Sequence, residues 1–145
     1  MNIRQATLTD LDQLSILFAL YRVFYEQPFE PDKAKQFLEE RLSGEECIIF
    51  IAIENEQQAG FTQLYPSFSS VAMTKIWILN DLFVSTGYRQ KGIGQALITH
   101  VMEYCKTTGR KKLVLSTAYS NDSAQKLYEK LGFTRSGFYN YEIVV

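Results

Sequence analysis

A short polar segment between an apolar run and an amphipathic helix carries the residue types best suited to chemistry. The segment is Arg89-Gln90-Lys91-Gly92-Ile93-Gly94, and the apolar residues that follow at helical spacing are Ile93, Leu97, Val101 and Cys105. Backbone N–H groups at a helix start lack intrahelical acceptors, and the helix dipole there favours negative charge. Gly92 and Gly94 have no side chain that would hold an anion away from this backbone. The segment therefore predicts a site for a phosphate or pyrophosphate group.

Two nucleotide-binding motifs are excluded by the spacing of these glycines. A P-loop has four residues between its glycines, followed by Lys and then Ser or Thr, and this chain has neither feature. A dinucleotide-binding fold has its glycines directly after the first strand of a βαβ unit, whereas these glycines lie in mid-chain after a polar turn. Glycines that serve only helix packing remain the alternative.

Two ordered motifs resemble those of one enzyme superfamily. The residues Arg89 to Gly94 match the signature Arg/Gln-x-x-Gly-x-Gly/Ala, and Leu82-Phe83-Val84 precede it. A second segment, Asn121-Asp122-Ser123-Ala124-Gln125-Lys126-Leu127-Tyr128-Glu129-Lys130-Leu131-Gly132-Phe133, follows at the expected distance. Over residues 80–133 the chain is similar to the GNAT superfamily of acetyl-CoA-dependent N-acetyltransferases. The resemblance implies an α/β (α+β) fold with a mixed, mostly antiparallel sheet of about seven strands and about four helices, splayed between the fourth and fifth strands.

The resemblance also implies a binding site for acetyl-CoA and a general acid. The residues it places at the cofactor are Leu82, Phe83 and Val84 on the fourth strand, Arg89, Gln90, Lys91, Gly92, Ile93 and Gly94 on the loop, and Asn121 and Tyr128 in the second motif. Tyr128 takes the position of the family's general acid, and a tyrosine with a reference pKa of about 10 can return a proton to a leaving thiolate. A packing role for Tyr128 and simple helix capping by Asn121 are the alternatives.

The acceptor side is less defined by the sequence. Asp81 is the only acid on the fourth strand, and we expect it to bind an amine or accept its proton, with a structural hydrogen-bonding role as the alternative. The surrounding residues resemble the diamine and polyamine branch, which has Leu-Glu-Asp-Phe-Phe-Val here, although Asn80 replaces the glutamate of that branch. Tyr21, Tyr25 and Glu26 end the first predicted helix, and Tyr25, Glu26, Asn80 and Asp81 are the predicted substrate-binding residues.

Periodicity and turn residues predict the remaining elements. Apolar spacing favours helices, alternation or continuous apolar runs favour strands, and Thr9 with Asp12 suggests a capping box. The predicted helices cover residues 10–26 and 31–44, a third helix after Gly92 and a fourth ending at Gly132. The predicted strands cover residues 2–7, 47–53, 59–65, 75–84 and 111–116, with a two-stranded hairpin in 133–145.

Composition limits the function classes. A chain of 145 residues with 46% hydrophobic residues fits a single folded domain over residues 1–145. The net charge of −1 gives no electrostatic reason to expect a nucleic acid or a membrane as partner. One histidine and two distant cysteines do not form an ordinary zinc site. With no signal peptide recognised, we expect a cytoplasmic protein, and its aromatic C-terminal hairpin could pair with a second copy to give a homodimer.

The two motifs and the family resemblance that they carry imply an acetyl-CoA-dependent N-acetyltransferase that acts by direct transfer. The preferred acceptor is a primary amine of a small molecule, such as a diamine, a polyamine or an amino acid. Acetylation of a protein or peptide amine and a non-catalytic acyl-CoA-binding regulatory module are the alternatives.

Overall fold

The computed structural model describes all residues from 1 to 145 and contains five strands and four α-helices. The strands are β1 (Asn2–Gln5), β2 (Ile48–Glu54), β3 (Gln57–Ser69), β4 (Thr74–Val84) and β5 (Leu113–Leu115). The helices are α1 (Leu11–Phe24), α2 (Pro31–Ser43), α3 (Ile93–Thr107) and α4 (Asp122–Lys130), with short 3-10 turns at Leu8–Asp10 and Thr86–Tyr88. No helix combines the length and the apolar character that a bilayer crossing requires.

The strands form one mixed sheet in the order β1-β2-β3-β4-β5. Neighbouring strands are antiparallel except β4 and β5, which are parallel. This arrangement confirms the predicted fold class, but the sheet has five strands rather than about seven. The prediction of a C-terminal hairpin was wrong, because residues 133–145 contain no strand. Two-residue hairpin turns use positive φ angles, and Gly137 does not adopt one.

The sheet separates two apolar cores because successive strand residues point to opposite faces. On β2, Ile49 and Ile51 pack with α1 and α2, whereas Phe50 and Ala52 pack with α3. The 3-10 turn that precedes α1 begins with a capping box of Thr7 and Asp10, two residues earlier than the predicted Thr9 and Asp12.

A β-bulge on β4 changes which residues face each core. Gln63 pairs with Asp81 and Leu64 pairs with Leu79, so Asn80 is the extra residue on β4. Before the bulge, Leu79 packs in the α3 core; after it, Phe83 packs in the α1 core. The bulge therefore turns Asp81 and Phe83 toward α1.

The predicted separation of the fourth and fifth strands is present at the same place. Pairing of β4 with β5 ends at Leu79 and Leu115, while β4 continues to Val84. On the other side of β4, pairing with β3 continues as far as Val84. The half of β4 after the bulge therefore has one free edge, which opens toward the start of α3.

Strand β3 is longer than predicted, because it continues through Pro66 to Ser69. Proline cannot donate a backbone hydrogen bond and is tolerated where a strand lies at an edge. Pairing of β3 with β2 ends at Leu64, so β3 has only β4 as a neighbour at Pro66. Tyr65, the last residue of the predicted strand, packs against the α1 core.

Candidate active site

The backbone at the start of α3 has a row of unused N–H groups. From Gln90 to Gln95, no N–H donates to a backbone or side-chain acceptor, and the first helical bond runs from the Ala96 N–H to the Gly92 carbonyl at 3.0 Å. Six consecutive polar groups of this kind need either solvent or a ligand. Their direction and the helix dipole suit an anion.

The two glycines of this loop serve different purposes. Gly92 adopts a φ of 77°, in the left-handed region that glycine enters without strain. Gly94 does not have a positive φ. A Cβ there would lie 3.8 Å from Val84 Cγ2 and 3.9 Å from Leu127 Cδ2, which is ordinary van der Waals contact. The protein itself would accept a side chain at position 94, so the glycine leaves space for a group outside the chain.

The cationic side chains of the loop lie against aromatic rings. Arg89 donates from Nε to the Val84 carbonyl oxygen at 2.9 Å, and its guanidinium carbon lies 5.5 Å from the centre of the Phe83 ring and 5.8 Å from that of Phe24. Lys91 Nζ lies 5.5 Å from the Tyr88 ring centre. These contacts keep the two positive charges near the free N–H groups, and neither side chain occupies those N–H groups as a hydrogen-bond partner.

The free edge of β4 lies beside this loop. Phe83 is buried in the α1 core, while Leu82 and Val84 are half-buried and pack toward α3. An extended ligand could pair with this edge as an added strand. We call the backbone from Gln90 to Gln95 together with the free edge of β4 the α3 side of the site.

The helix α4 places two of the predicted residues near the opening. Asn121 caps α4, because its Oδ1 accepts from the Ala124 N–H at 3.2 Å, while its Nδ2 group has no partner. Tyr128 is half-buried, and its hydroxyl makes no hydrogen bond within the chain. Burial, with a further contribution from Tyr25, raises the pKa of the Tyr128 phenol, so it stays protonated at neutral pH. A protonated and unpaired hydroxyl can donate to a ligand.

On the opposite side of the site, Asp81 is buried and accepts three hydrogen bonds. Oδ1 accepts from the Tyr21 hydroxyl at 2.7 Å, and Oδ2 accepts from Gln63 Nε2 at 2.7 Å and Asn80 Nδ2 at 3.1 Å. Gln63 is fully buried, and its Oε1 has no partner. Burial, and then the Asp81 carboxylate, raise the pKa of the Tyr21 phenol well above its usual value.

The end of α1 connects this carboxylate to Tyr128. The ring centres of Tyr21 and Tyr25 lie 5.2 Å apart with an edge-on geometry, and Tyr25 is close enough to affect the pKa of Tyr128. Glu26 follows in the left-handed region, exposed and without an ion pair. We call Tyr21, Tyr25, Gln63 and Asp81 the α1 side of the site.

The structure thus brings most of the predicted residues around one opening between α1, β4, α3 and α4. Asn80 is exposed on the bulge and reaches the site through Asp81 alone. Sequence reasoning missed Gln63, whose only signal is a glutamine inside the apolar strand segment from Phe61 to Leu64. It identified Tyr21 only as one of several aromatics and gave no indication of its bond to Asp81, 60 residues away.

Comparisons with known proteins agree with this geometry. Residues 14–133 match the model of the Acetyltransferase (GNAT) family. An uncharacterized N-acetyltransferase of Bacillus subtilis, YhfO, is 46% identical over 97% of this chain and 95% of its own length. A probable acetyltransferase of Haemophilus influenzae is 33% identical over 92% of this chain and 90% of its own length. The crystal structure of a probable acetyltransferase has a TM-score of 0.93 and 39% identity, covering 100% of this chain and 98% of that one.

Proposed function

Because the chain belongs to the GNAT family of acetyltransferases, we propose that it moves an acetyl group from acetyl-CoA to the primary amine of a small molecule. A diamine, a polyamine or an amino acid is the acceptor class we favour. The observation that supports this proposal is the position of the buried Asp81 side chain, with its hydrogen-bond partners, near the start of α3, where free N–H groups suit an anion.

The residues of the α3 side fit acetyl-CoA. The free N–H groups from Gln90 to Gln95 would hold its pyrophosphate, and the edge of β4 from Leu82 to Val84 would pair with its pantetheine arm. The space at Gly94 supports a close approach of the phosphates to the backbone. When bound, acetyl-CoA supplies the acetyl thioester. The unpaired Asn121 Nδ2 group could donate a hydrogen bond to the cofactor.

The residues of the α1 side would bind and deprotonate the amine. The Tyr21 hydroxyl donates to Asp81, so its oxygen retains lone pairs that can accept from an amine N–H. As the amine proton passes to the Tyr21 oxygen, the hydroxyl proton of Tyr21 passes to Asp81 Oδ1, which leaves Tyr21 neutral and Asp81 protonated. The unpartnered Gln63 Oε1 supports a ligand that carries hydrogen-bond donors.

Tyr128 would complete the transfer from the other wall of the opening. Its protonated hydroxyl can donate a proton to the thiolate as the C–S bond breaks, and the proton that the amine nitrogen loses on forming the amide would restore the phenol. Most of the rate enhancement would come from holding the amine and the thioester together. Tyr25, with its exposed ring, and Glu26 would attract a cationic acceptor.

A thiol-release assay with acetyl-CoA tests this proposal against a panel of diamines, polyamines, amino acids and basic peptides. We expect turnover with one of the small-amine groups and a Michaelis constant that rises when Asp81 is replaced. Turnover on peptides with none on small amines would replace the proposal with protein or peptide acetylation.

A further inference from the structure

Strands β3 and β4 extend beyond the rest of the sheet as a two-stranded ribbon. Pairing of β2 with β3 ends at Leu64, and pairing of β4 with β5 begins at Trp77. Between these points the ladder continues only from β3 to β4, as far as the pair of Ser69 with Thr74. A turn over residues 70–73 closes the ribbon. We call residues 66–73 the ribbon tip.

The ribbon tip is uncharged and exposes its apolar side chains. It reads Pro-Ser-Phe-Ser-Ser-Val-Ala-Met. Phe68 is 72% exposed, Val71 99% and Met73 89%. Exposed strand edges are usually protected by charged side chains, and this one has none. Three neighbouring apolar side chains on a projecting turn indicate a surface that leaves water in a complex.

The turn of the ribbon tip satisfies part of its own backbone. The Ala72 N–H donates to Ser69 Oγ at 3.2 Å, and the Met73 N–H donates to the Ser70 carbonyl oxygen at 3.2 Å. Polar groups that already have partners cost less to remove from water than unpaired ones. The ribbon tip can therefore enter an apolar environment while these backbone bonds remain in place.

Positive charge collects at the base of the ribbon. Arg110 Nη1 donates to the Ser67 carbonyl oxygen at 3.3 Å, which holds the guanidinium beside β3. The Lys111 N–H donates to the Lys75 carbonyl oxygen at 3.1 Å, which joins the segment before β5 to the start of β4. We call Lys75, Arg110, Lys111 and Lys112 the basic patch.

No acidic side chain neutralises the basic patch. None of its members takes part in an ion pair, and the nearby Glu103 is paired with Lys106 at 2.8 Å. The stretches 57–80 and 104–121 contain neither Asp nor Glu. The net charge of −1 for the whole chain therefore conceals a local excess of positive charge.

The basic patch and the ribbon tip share one side of the molecule. Phe68 pairs directly with Lys75 across the ribbon, so their side chains lie on the same face. Alternation along β4 gives that face to Trp77 as well, and the guanidinium carbon of Arg110 lies 4.2 Å from the centre of the Trp77 ring. Apolar side chains thus lie at the end of the ribbon, and cations lie directly behind them.

We propose that the ribbon tip inserts into the surface of a membrane that contains anionic lipids, with the basic patch against the lipid headgroups. Apolar side chains enter the boundary between headgroups and acyl chains, while Lys and Arg keep their charges at the level of the phosphates. A nucleic acid matches the charge of the patch but leaves the apolar tip in water. An anionic lipid surface satisfies both features.

This attachment leaves the candidate site accessible. Strand β4 runs from Thr74 beside the ribbon tip to Val84 beside the candidate site. At about 3.3 Å per residue, roughly 30 Å separate the two ends. The proposal is therefore independent of the proposed function, and it is tested without any activity measurement.

Co-sedimentation of the full chain with lipid vesicles tests the proposal. We expect binding to vesicles of equal parts phosphatidylglycerol and phosphatidylcholine to be more than tenfold tighter than binding to phosphatidylcholine alone, because the basic patch responds to the headgroup charge. Added salt should weaken the binding. Equal affinity for both kinds of vesicle, or no binding to the anionic ones, overturns the proposal.

Two variants separate the apolar and the charged contributions. Phe68→Ser should weaken binding to the anionic vesicles about tenfold, because it removes an aromatic ring from the inserted tip. Lys111→Gln together with Lys112→Gln should weaken it more than tenfold. These side chains are exposed, so both variants should fold, which circular dichroism checks. Unchanged binding of Phe68→Ser contradicts insertion of the tip.

Matched controls carry the same chemical changes elsewhere on the surface. Phe29→Ser replaces a half-exposed phenylalanine in the loop between α1 and α2. Lys33→Gln together with Lys35→Gln removes the same charge from α2. Both controls should bind the anionic vesicles like the wild type. Equal losses in the controls and in the test variants would mean that net charge or general hydrophobicity drives binding, which overturns the proposal.

A fluorescent label measures whether the tip enters the membrane. Val71→Cys labelled with nitrobenzoxadiazole should shift its emission to shorter wavelength when anionic vesicles are added, whereas the same label on Leu8→Cys should not. Cys47 and Cys105 are buried, so the label reacts with the introduced thiol. Binding without a shift at position 71 would mean electrostatic adsorption alone. Binding to polyglutamate or to an RNA homopolymer, with none to vesicles, would assign the patch to another partner. Either result overturns the proposal.

Discussion

The α3 side and the α1 side of the site are built from different parts of the polypeptide. The α3 side consists of backbone: the free N–H groups from Gln90 to Gln95 and the unpaired edge of β4. The α1 side consists of side chains, with Asp81 held by Tyr21, Gln63 and Asn80. A backbone site depends on chain geometry and tolerates many side chains, whereas a side-chain site depends on residue identity. The common donor and the variable acceptor of such enzymes fit this division.

Tyr128 tests the comparison most strongly, because it is a side chain for which we propose a role at the cofactor. Tyr128→Phe removes the free hydroxyl and keeps the ring contact with Phe133. We expect kcat to fall about 10²- to 10⁴-fold, the usual contribution of a general acid. Acetyl-CoA affinity, measured by titration calorimetry, should change little. Unchanged turnover would remove Tyr128 from the acid role.

Replacing Gly94 should show that acetyl-CoA binding at the α3 side depends on free space rather than on the chemistry of a side chain. Gly94→Ala fits the chain's own contacts and should raise the unfolding free energy by about 0.4–1 kcal/mol, because it restricts the unfolded chain. Acetyl-CoA affinity should nevertheless fall about tenfold, equivalent to about 1.4 kcal/mol. Calorimetry and thermal unfolding measure both effects. Gln95→Ala, which keeps its backbone N–H, is the control and should bind acetyl-CoA normally.

Replacing Asp81 should show that amine binding at the α1 side depends on the identity of the side chain. Asp81→Asn keeps the shape and removes both the charge and the proposed proton acceptor, so we expect the Michaelis constant for a cationic amine to rise about tenfold, equivalent to about 1.4 kcal/mol, and kcat to fall. The constant for acetyl-CoA should not change. Tyr21→Phe should act in the same direction and alter the pH profile of kcat. If both variants match the wild type, Asp81 has only a structural role.

Tyr65 lies close to the α1 side, and its replacement should affect stability at high pH rather than turnover. Burial, and then Asp81, raise the pKa of the Tyr65 phenol to about 12. A folded-state pKa above the reference of about 10 means that the stabilisation is complete below pH 10 and is lost as the pH rises toward 12. Urea unfolding between pH 7 and pH 11 should show this loss. Tyr65→Phe should flatten the decline above pH 10, and an equally steep decline would assign it to other groups.

The sequence by itself determined the α3 side. The spacing of Gly92 and Gly94 and the apolar period after Ile93 are local features, and a helix start orients consecutive N–H groups without help from distant residues. The cap at Asn121 follows from the same local logic and is present in the structure. The mixed sheet and its opening between β4 and β5 came from the family resemblance carried by these motifs.

Only the tertiary structure decided the α1 side and the fate of the C-terminus. A one-residue bulge at Asn80 reverses the alternation of β4; the family resemblance implies a bulge on this strand, but the local sequence does not give its position. That reversal brings Asp81 to Tyr21 and Gln63, and such contacts between distant residues depend on how whole elements pack. Residues 133–145 carry the composition of strands, but a strand needs a partner, and the structure provides none within the same chain. Local sequence patterns determine which secondary structure a segment can form, whereas the packing of whole elements determines which residues it contacts.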